Sequence, residues 1–271
     1  MGVAYYNEFD PYAAQWLRNL ITTGVIALGE VDERSIEDVS PDDLRDFTQC
    51  HFFAGIGVWS FALRQAGWSD DRRIWTGSCP CQPYSLAGKG KGAADERHLW
   101  PAFFHLITEC HPDIVVGEQV EAAVKQPWLD LVQADLEGVG YTTGAICAPA
   151  AGVGAPHIRS RIYWAGVTNQ FFRGGVGDSD YTGLEGHPRN GHNSREQGET
   201  GSASQTSGSV GGFWEGADLL QFEQGVLRPV QPGTFPMAPR TANRVGRCRA
   251  YGNAIVAPLA TEFIKAVISI L

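Results

Sequence analysis

Apolar residues recur along the chain in two alternating patterns. Segments with helical spacing alternate with shorter, nearly continuous apolar runs that end in glycine or polar residues. The first pattern predicts helices and the second predicts buried strands. The predicted helices are PYAAQWLRNLITT, VWSFALRQAG, RHLWPAFFHLITEC, WLDLVQADLEGVG and APLATEFIKAVISIL, and the predicted strands are CHFFAGIG, IWTGSCPC, DIVVGEQV, YTTGAICAP and SRIYWAGV. This alternation predicts an α/β fold in which a parallel sheet is covered by helices on both faces.

The composition changes near residue 170. Residues 170–216 contain 12 glycines among many serine, asparagine, threonine and glutamine residues. A segment of this composition cannot bury enough apolar surface to build a core of its own. We therefore predict a loop-rich insertion that interrupts the α/β domain before its last helix.

The bulk composition is that of a globular protein of 271 residues, with 43% apolar and 19% charged residues. No apolar run is long enough to span a bilayer, and the first residues lack the features of a signal peptide, so we expect a cytoplasmic protein. Six cysteines stand at positions 50, 79, 81, 110, 147 and 248. Their spacing matches no zinc framework, and in a reducing compartment most of them are expected to be small buried hydrophobic residues.

The net charge of −9 is unevenly distributed, because residues 1–50 hold ten acidic residues and only three arginines. Proteins that bind nucleic acid usually carry a basic face. The overall charge therefore argues mildly against a nucleic-acid partner. Only a local basic surface would reverse this expectation.

The stretch FFAGIG, residues 52–57, places two glycines at a predicted strand-to-helix turn. Glycine at such a turn lets the backbone approach a ligand closely, as in dinucleotide-binding folds. The third glycine of the dinucleotide fingerprint is missing, however. The stretch alone is compatible with a nucleotide-like cofactor or with an ordinary turn.

The stretch GSCPCQPYSLAGKGKG, residues 77–92, follows a predicted strand and contains Cys79 and Cys81. Three kinds of chemistry use such cysteines: a metal site, a redox pair, or a single nucleophile. A metal site lacks support because His98, His105 and His111 have no convincing ligand spacing. Cys81 would lie where a strand ends in a loop, which is where parallel sheets usually carry their chemistry.

Five motifs occur in order along the chain: FAGIG, PCQPYS, GEQV, GAPHIRSRIYWAG and YGNAIVAPLA. Together they closely resemble the DNA (cytosine-5) methyltransferases. This resemblance implies a Rossmann-like class I methyltransferase sheet, S-adenosylmethionine as the cofactor and double-stranded DNA as the partner. It also implies that Cys81 is the nucleophile and that Cys79 is a bystander.

The resemblance assigns the catalytic roles to Cys81, Glu118, Arg159 and Arg161. C5 of cytosine is a poor nucleophile. Addition of the Cys81 thiolate to C6 converts the ring into an enamine, and C5 of this enamine can attack the methyl group. Glu118 would bind N3 and the amino group of the base, and Arg161 its O2. Arg159 would support the same pocket, since its alternation with Arg161 places both on one face of a strand. The base must first be flipped out of the duplex.

The cofactor site implied by the resemblance has an unusual chain order. Only 24 residues separate Gly57 from Cys81, too few for the two further strands that the family places between its cofactor loop and its nucleophile. YYNEFDPYAAQWL and DERSIEDV resemble those missing pieces, so we predict a permuted sheet in which they come first. The alternative is an unrelated acidic extension. The expected cofactor residues are Phe53, Ala54, Gly55, Ile56, Gly57, Glu8, Phe9, Ser35, Ile36, Pro80, Asn253 and Ala254, with Glu8 at the ribose and Phe9 against the adenine.

The resemblance also divides the chain. It implies a catalytic domain formed by residues 1–167 and completed by residues 236–271, with a target-recognition region at residues 168–235. We expect this region to be partly disordered without DNA. The expected DNA contacts are Gln82, Ser85, Lys89, Lys91, Arg240 and Arg244.

Two departures from the family pattern accompany the resemblance. Its Glu-Asn-Val is Glu118-Gln119-Val120 here, and its arginine-rich segment is barely matched by RTANRVGRCRAYGN. The implied activity is methylation of cytosine C5 in duplex DNA, as in restriction–modification or phage-type enzymes. A non-catalytic cofactor- or DNA-binding module and an RNA cytosine methyltransferase are the alternatives. We further expect a monomer, with a cognate restriction endonuclease as the partner that restriction–modification systems imply.

Overall fold

The computed structural model describes residues 4–79, 99–121, 128–155, 157–170, 218–221, 227–230 and 252–271. Seven strands form one sheet: β1 (Ala4–Asn7), β2 (Gly29–Asp32), β3 (Gln49–Phe52), β4 (Ile74–Gly77), β5 (Ile114–Val120), β6 (Tyr141–Pro149) and β7 (Ser160–Thr168). The helices are α1 (Pro11–Thr22), α2 (Val58–Gln65), α3 (Trp100–Cys110), α4 (Trp128–Gly138) and α5 (Ala257–Ser269). Two further strands, β8 (Asp218–Gln221) and β9 (Leu227–Val230), pair in a separate antiparallel hairpin.

The strand order of the main sheet is β2-β1-β3-β4-β5-β7-β6. The pairs from β2 across to β5 are parallel, whereas β7 is antiparallel to both β5 and β6. The predicted α/β class, with helices on both faces of one sheet, is thus confirmed. The expectation of a wholly parallel sheet is wrong, because a buried strand shows the same apolar pattern in either direction.

The predicted permutation of the strands is also confirmed. The N-terminal strand β1 pairs with β3 on one side and with β2 on the other, so residues 4–32 extend the same sheet. The alternative of an unrelated acidic extension is therefore wrong. The carboxyl ends of β1, β2 and β3 lie side by side, since Asn7 pairs with both Asp32 and Phe52.

Hydrophobic packing occupies both faces of the sheet. Alternate residues of β1 show this, because Tyr6 packs with α1 while Tyr5 packs with the opposite layer. Helices α1, α2 and α5 cover one face, and α3, α4 and the short turns around Ile36 and Leu44 cover the other. Among the described residues, no helix has both the length and the apolar character needed to cross a membrane.

Helix ends follow local sequence signals. The carboxylate of Asp10 accepts hydrogen bonds from the backbone N–H groups of Tyr12 and Ala13 and caps α1, with Pro11 in the first turn. Gly67, predicted at the end of α2, follows the C-cap with φ +83°, a left-handed conformation that glycine adopts without strain. Pro101 lies in the first turn of α3, where its missing N–H costs no helical hydrogen bond.

Candidate active site

The candidate site lies along the carboxyl ends of β1, β2, β3, β4 and β5. Parallel strands bring these ends to one edge of the sheet, where α/β folds usually bind their ligands. Glu8 and Phe9 follow β1, Ser35 follows β2, and the glycine loop follows β3. Ser78 and Cys79 follow β4, and Glu118 lies near the end of β5. These residues therefore share one edge of the sheet.

The carboxylate of Glu8 is fixed by two backbone donors. Its Oε1 accepts from the N–H of Asp10 at 2.8 Å and its Oε2 accepts from the N–H of Gly55 at 2.7 Å. This second bond joins the N-terminal strand to the glycine loop. Both carboxylate oxygens of Glu8 are thus held in place at the edge where β1 ends.

The glycine loop after β3 requires left-handed backbone at several positions. Gly55 has φ +55° and Gly57 has φ +78°. Among the described residues, a Cβ added at Gly55 would meet nothing within 4 Å, so this part of the structure leaves open space beside the loop. Phe53 also has a positive φ, of 52°, and its ring packs edge-on against Phe103. Phe9, 72% exposed, presents an uncovered aromatic ring at the same edge.

The other predicted cofactor residues are less uniform. Ser35 caps the short turn that begins at Ile36, and the side chain of Ile36 is buried in the core. Asn253 is exposed and Ala254 half-buried in the short segment before α5. Ala54 is buried and Ile56 half-buried in the glycine loop, and Pro80 lies outside the described residues.

Glu118 forms the buried centre of the predicted base pocket. Its Oε1 lies 2.9 Å from Nε of Arg161, in an ion pair whose side chains are only 10% and 19% exposed. Burial raises the pKa of Glu118 to about 7, although the charges of Arg161 and Arg159 act in the opposite direction. Such a group can hold or release a proton near neutral pH.

Arg159 does not lie where the sequence predicts it. Strand β7 begins at Ser160, and Arg159, just before it, has φ +23°, outside the extended region. The expected strand alternation with Arg161 is therefore wrong. Its guanidinium instead donates to the carbonyl oxygens of Gly252 at 2.9 Å and Ala254 at 3.0 Å.

The segment that leads toward Cys81 is anchored at two described residues. Nε1 of Trp59 donates to Oγ of Ser78 at 3.0 Å, and Nε2 of Gln119 donates to the carbonyl of Cys79 at 3.2 Å. Cys79 itself is buried. Sequence reasoning singled out Gln119 only as a departure from the family's asparagine and missed this contact.

Several predicted residues lie outside the part of the chain that the structure describes. These are Cys81 and the expected DNA contacts Gln82, Ser85, Lys89, Lys91, Arg240 and Arg244. The predicted target-recognition region, residues 168–235, is described only at residues 168–170, 218–221 and 227–230. Within the described residues, no group of three or more His, Cys, Asp or Glu side chains could hold a metal ion.

Comparison with known proteins identifies the class to which this site belongs. Residues 68–182 match the family of C-5 cytosine-specific DNA methylases, and this segment includes Cys81, Glu118, Arg159 and Arg161. The resemblance seen in the motifs is confirmed: this segment is similar to the DNA (cytosine-5) methyltransferases. The match also implies S-adenosylmethionine as the cofactor.

Individual relatives cover part of the chain. The type II methyltransferase M.AplI of Arthrospira platensis is 32% identical over 89 residues, which is 32% of this chain and 26% of that protein. M.NgoMIV of Neisseria gonorrhoeae is 28% identical over 101 residues, 36% of this chain and 32% of that protein. These matches thus span about a third or less of the relatives. A solved structure of Spodoptera frugiperda DNMT2 covers 62% of this chain and 43% of its own, with 15% identity and a TM-score of 0.43.

Proposed function

We propose that the protein methylates C5 of cytosine in duplex DNA, using Cys81 as a covalent nucleophile toward C6 of a flipped base. The observation that carries this proposal is the buried Glu118–Arg161 ion pair beside the strand end that leads to Cys81. All three residues lie in the segment that matches the C-5 cytosine-specific methylases.

The edge of the sheet fits S-adenosylmethionine. Glu8 offers a fixed carboxylate for hydroxyl groups, Phe9 offers an exposed ring for a purine, and open space lies beside Gly55. The bound cofactor would supply a methyl group on a positively charged sulfur. Asn253 and Ala254, in the C-terminal segment, would form one wall of the cofactor site.

Glu118 would act on the pyrimidine through its proton. N3 of neutral cytosine is an acceptor, so the protonated carboxyl can donate to it while the other oxygen accepts from the amino group. Thiolate addition at C6 moves electron density toward N3, and transfer of the Glu118 proton neutralises it. The pKa of about 7 suits this exchange near neutral pH.

Arg161 would hold both the carboxylate and the base. It lies on β7 opposite Val120, and its Nε is engaged by Glu118 while other guanidinium donors remain for the O2 of cytosine. Burial of this pair also excludes water from the groups that contact the base. Loss of the C5 proton and expulsion of Cys81 would complete the reaction.

The test compares cysteine variants with tritiated S-adenosylmethionine on duplex DNA and on structured RNA. Cys81→Ser should abolish methyl transfer while cofactor binding survives, and Cys79→Ser should keep most activity. Bisulfite sequencing of DNA from a host that expresses the protein would identify the methylated site. Activity that survives in Cys81→Ser but not in Cys79→Ser would contradict the assignment, and methylation of RNA alone would contradict the DNA substrate.

A further inference from the structure

Arg159 lies where the segment before α5 meets the Glu118–Arg161 pair. Its Nη2 donates to the carbonyl groups of Gly252 and Ala254, at 2.9 and 3.0 Å. These two carbonyls flank Asn253. One side chain at the start of β7 therefore fixes the conformation of a segment more than ninety residues away in the chain.

The conformation of Arg159 is locally unfavourable. A non-glycine residue with φ +23° lies outside the well-populated backbone regions. Its Nε is buried and has no hydrogen-bond partner among the described residues. The positive φ and the unpaired Nε each cost free energy. Costly features of this kind persist only where surrounding contacts hold them in place, and they often occur at functional sites.

The charge of Arg159 also acts on Glu118. Burial has the largest effect on the pKa of this carboxyl and raises it. The charge of Arg161 lowers this pKa most, and the charge of Arg159 lowers it next. The charged and titratable groups that face Glu118 within the described residues are Arg159, Arg161 and Tyr163. Residues 252–254 contribute none.

We propose that Arg159 is a positioning residue that couples the segment of residues 252–254 to Glu118. The same guanidinium orders this segment by two hydrogen bonds and supplies positive charge to the carboxylate. Loss of its hydrogen bonds should loosen the segment, and loss of its charge should favour the protonated form of Glu118. The inference rests on the proposed function, because it takes the segment as part of the cofactor site and Glu118 as the group that binds the base.

Three variants separate the two effects. Arg159→Lys keeps the charge but lacks the long planar guanidinium that reaches both carbonyls. Arg159→Ala removes both the charge and the hydrogen bonds. Arg161→Lys is the matched control, since Arg161 is paired with Glu118 and has no hydrogen bond to residues 252–254 among the described contacts.

Two quantities are measured for each variant. Calorimetry without DNA gives the dissociation constant of S-adenosylmethionine, and carbon-13 NMR gives the pKa of Glu118. Both Arg159 variants should bind the cofactor about 5- to 20-fold more weakly, the loss expected for charge-assisted hydrogen bonds acting through one intermediate segment. Of the two Arg159 variants, only Arg159→Ala should raise the pKa of Glu118, by about half a unit or more, because a nearby positive charge is lost. Arg161→Lys should leave cofactor affinity within about twofold.

Thermal unfolding establishes that each variant is folded, and the Lys variant carries the test if the Ala variant is not. Cofactor affinity within twofold of the original protein in folded Arg159→Lys would overturn the coupling. An equal loss of affinity in Arg161→Lys would also overturn it. An unmodified protein that binds no S-adenosylmethionine would instead contradict the proposed function on which the coupling rests.

Discussion

Glu118 is the side chain whose protonation most directly links the structure to pH. Burial favours its neutral form, and the two nearby arginines offset only part of this effect, so its pKa stands near 7 against 4.5 in the unfolded chain. The folded protein therefore binds this proton more tightly than the unfolded chain does. Stability from this group is present at low pH and is lost as pH rises from about 4.5 to about 7.

Glu118→Gln should remove that loss. Between pH 5 and pH 8, the free energy of unfolding of the original protein should fall by about 1–3 kcal/mol more than that of the variant, since the amide does not titrate. Urea unfolding at both pH values measures the difference. Parallel profiles for the two proteins would mean that the carboxyl has an ordinary pKa.

His51 has the opposite dependence on pH. It is buried on β3, stacks on Tyr6, and its Nδ1 lies 2.9 Å from Oγ1 of Thr76. Burial lowers the pKa of His51 to about 3, so only the unfolded chain takes up this proton below pH 6.5. Stability contributed by the neutral imidazole is present above pH 6.5 and is lost as pH falls toward 3.

His51→Asn should make the protein less sensitive to acid, because Asn does not titrate and can still bond the Thr76 hydroxyl. Between pH 5.5 and pH 4, the plot of unfolding free energy against pH should have a shallower slope, by the amount that corresponds to about one proton. The smaller side chain also lowers stability at every pH, and that loss does not affect the slope. Urea unfolding at several pH values measures this slope. An unchanged slope would show that His51 becomes protonated in the folded state.

At the level of elements, the close approach of β4 and β5 depends on two glycines that face each other. Gly77 pairs with Gly117, directly before Glu118. A Cβ at Gly117 would collide with the ring of Trp164 and with the carbonyl oxygen of Gly77, while one at Gly77 would collide with Phe103. The ring of Trp164 and the backbone of Gly77 are both buried in the core, so neither can move away from an added Cβ easily.

Gly117→Ala should therefore lower the free energy of unfolding by about 2–3 kcal/mol or more. Gly144→Ala on the edge strand β6 is the matched control, because a Cβ there would meet nothing within 4 Å. The control should be neutral or slightly stabilising, since alanine loses less conformational entropy than glycine. Equal effects of the two substitutions in urea unfolding would contradict the close approach.

The sequence predicted the elements well and their directions less well. Runs such as DIVVGEQV and SRIYWAGV were recognised as strands because burial on both faces makes them continuously apolar. That same property hides direction, so the antiparallel β7 was missed. The position of Arg159 was missed for a related reason: strand alternation describes extended backbone, and the positive φ of Arg159, directly before the first residue of β7, breaks it.

The site was predictable where it depends on strand ends and unpredictable where it depends on side-chain contacts. Glu118, Glu8 and the glycine loop meet at one edge because parallel strands end there. The bonds from Glu8 to Gly55 and from Arg159 to Gly252 join positions far apart in the chain. Only the packed molecule brings such pairs together, and no spacing in the sequence reveals them.

For the whole molecule, the permuted strand order predicts which acid serves the cofactor. Glu8→Ala should weaken S-adenosylmethionine binding by about 1–3 kcal/mol, since it removes a charged acceptor and frees the N–H of Gly55. Calorimetry measures the change in affinity. If Glu8→Ala binds S-adenosylmethionine as tightly as the original protein, the assignment of the β1 end to the cofactor site is wrong.

The controls for that experiment are Asp70→Ala and Asp71→Ala, in the segment that directly precedes β4 by chain order. Asp70 is paired with Arg64 of α2, and Asp71 is exposed at the surface. Both substitutions should leave cofactor affinity nearly unchanged. A loss at Asp70 as large as that at Glu8 would favour the unpermuted assignment.

The strand order also has a consequence for the protein during its synthesis. Strands β2, β1 and β3 lie next to one another in the sheet, with β1 in the middle, and residues 4–57 contain all three together with the glycine loop. Chains emerge from the ribosome amino end first, and contiguous units can begin to fold before the rest is made. We therefore expect the nascent chain to assemble this three-stranded unit, with Glu8 against Gly55, before the residues around Cys81 leave the ribosome.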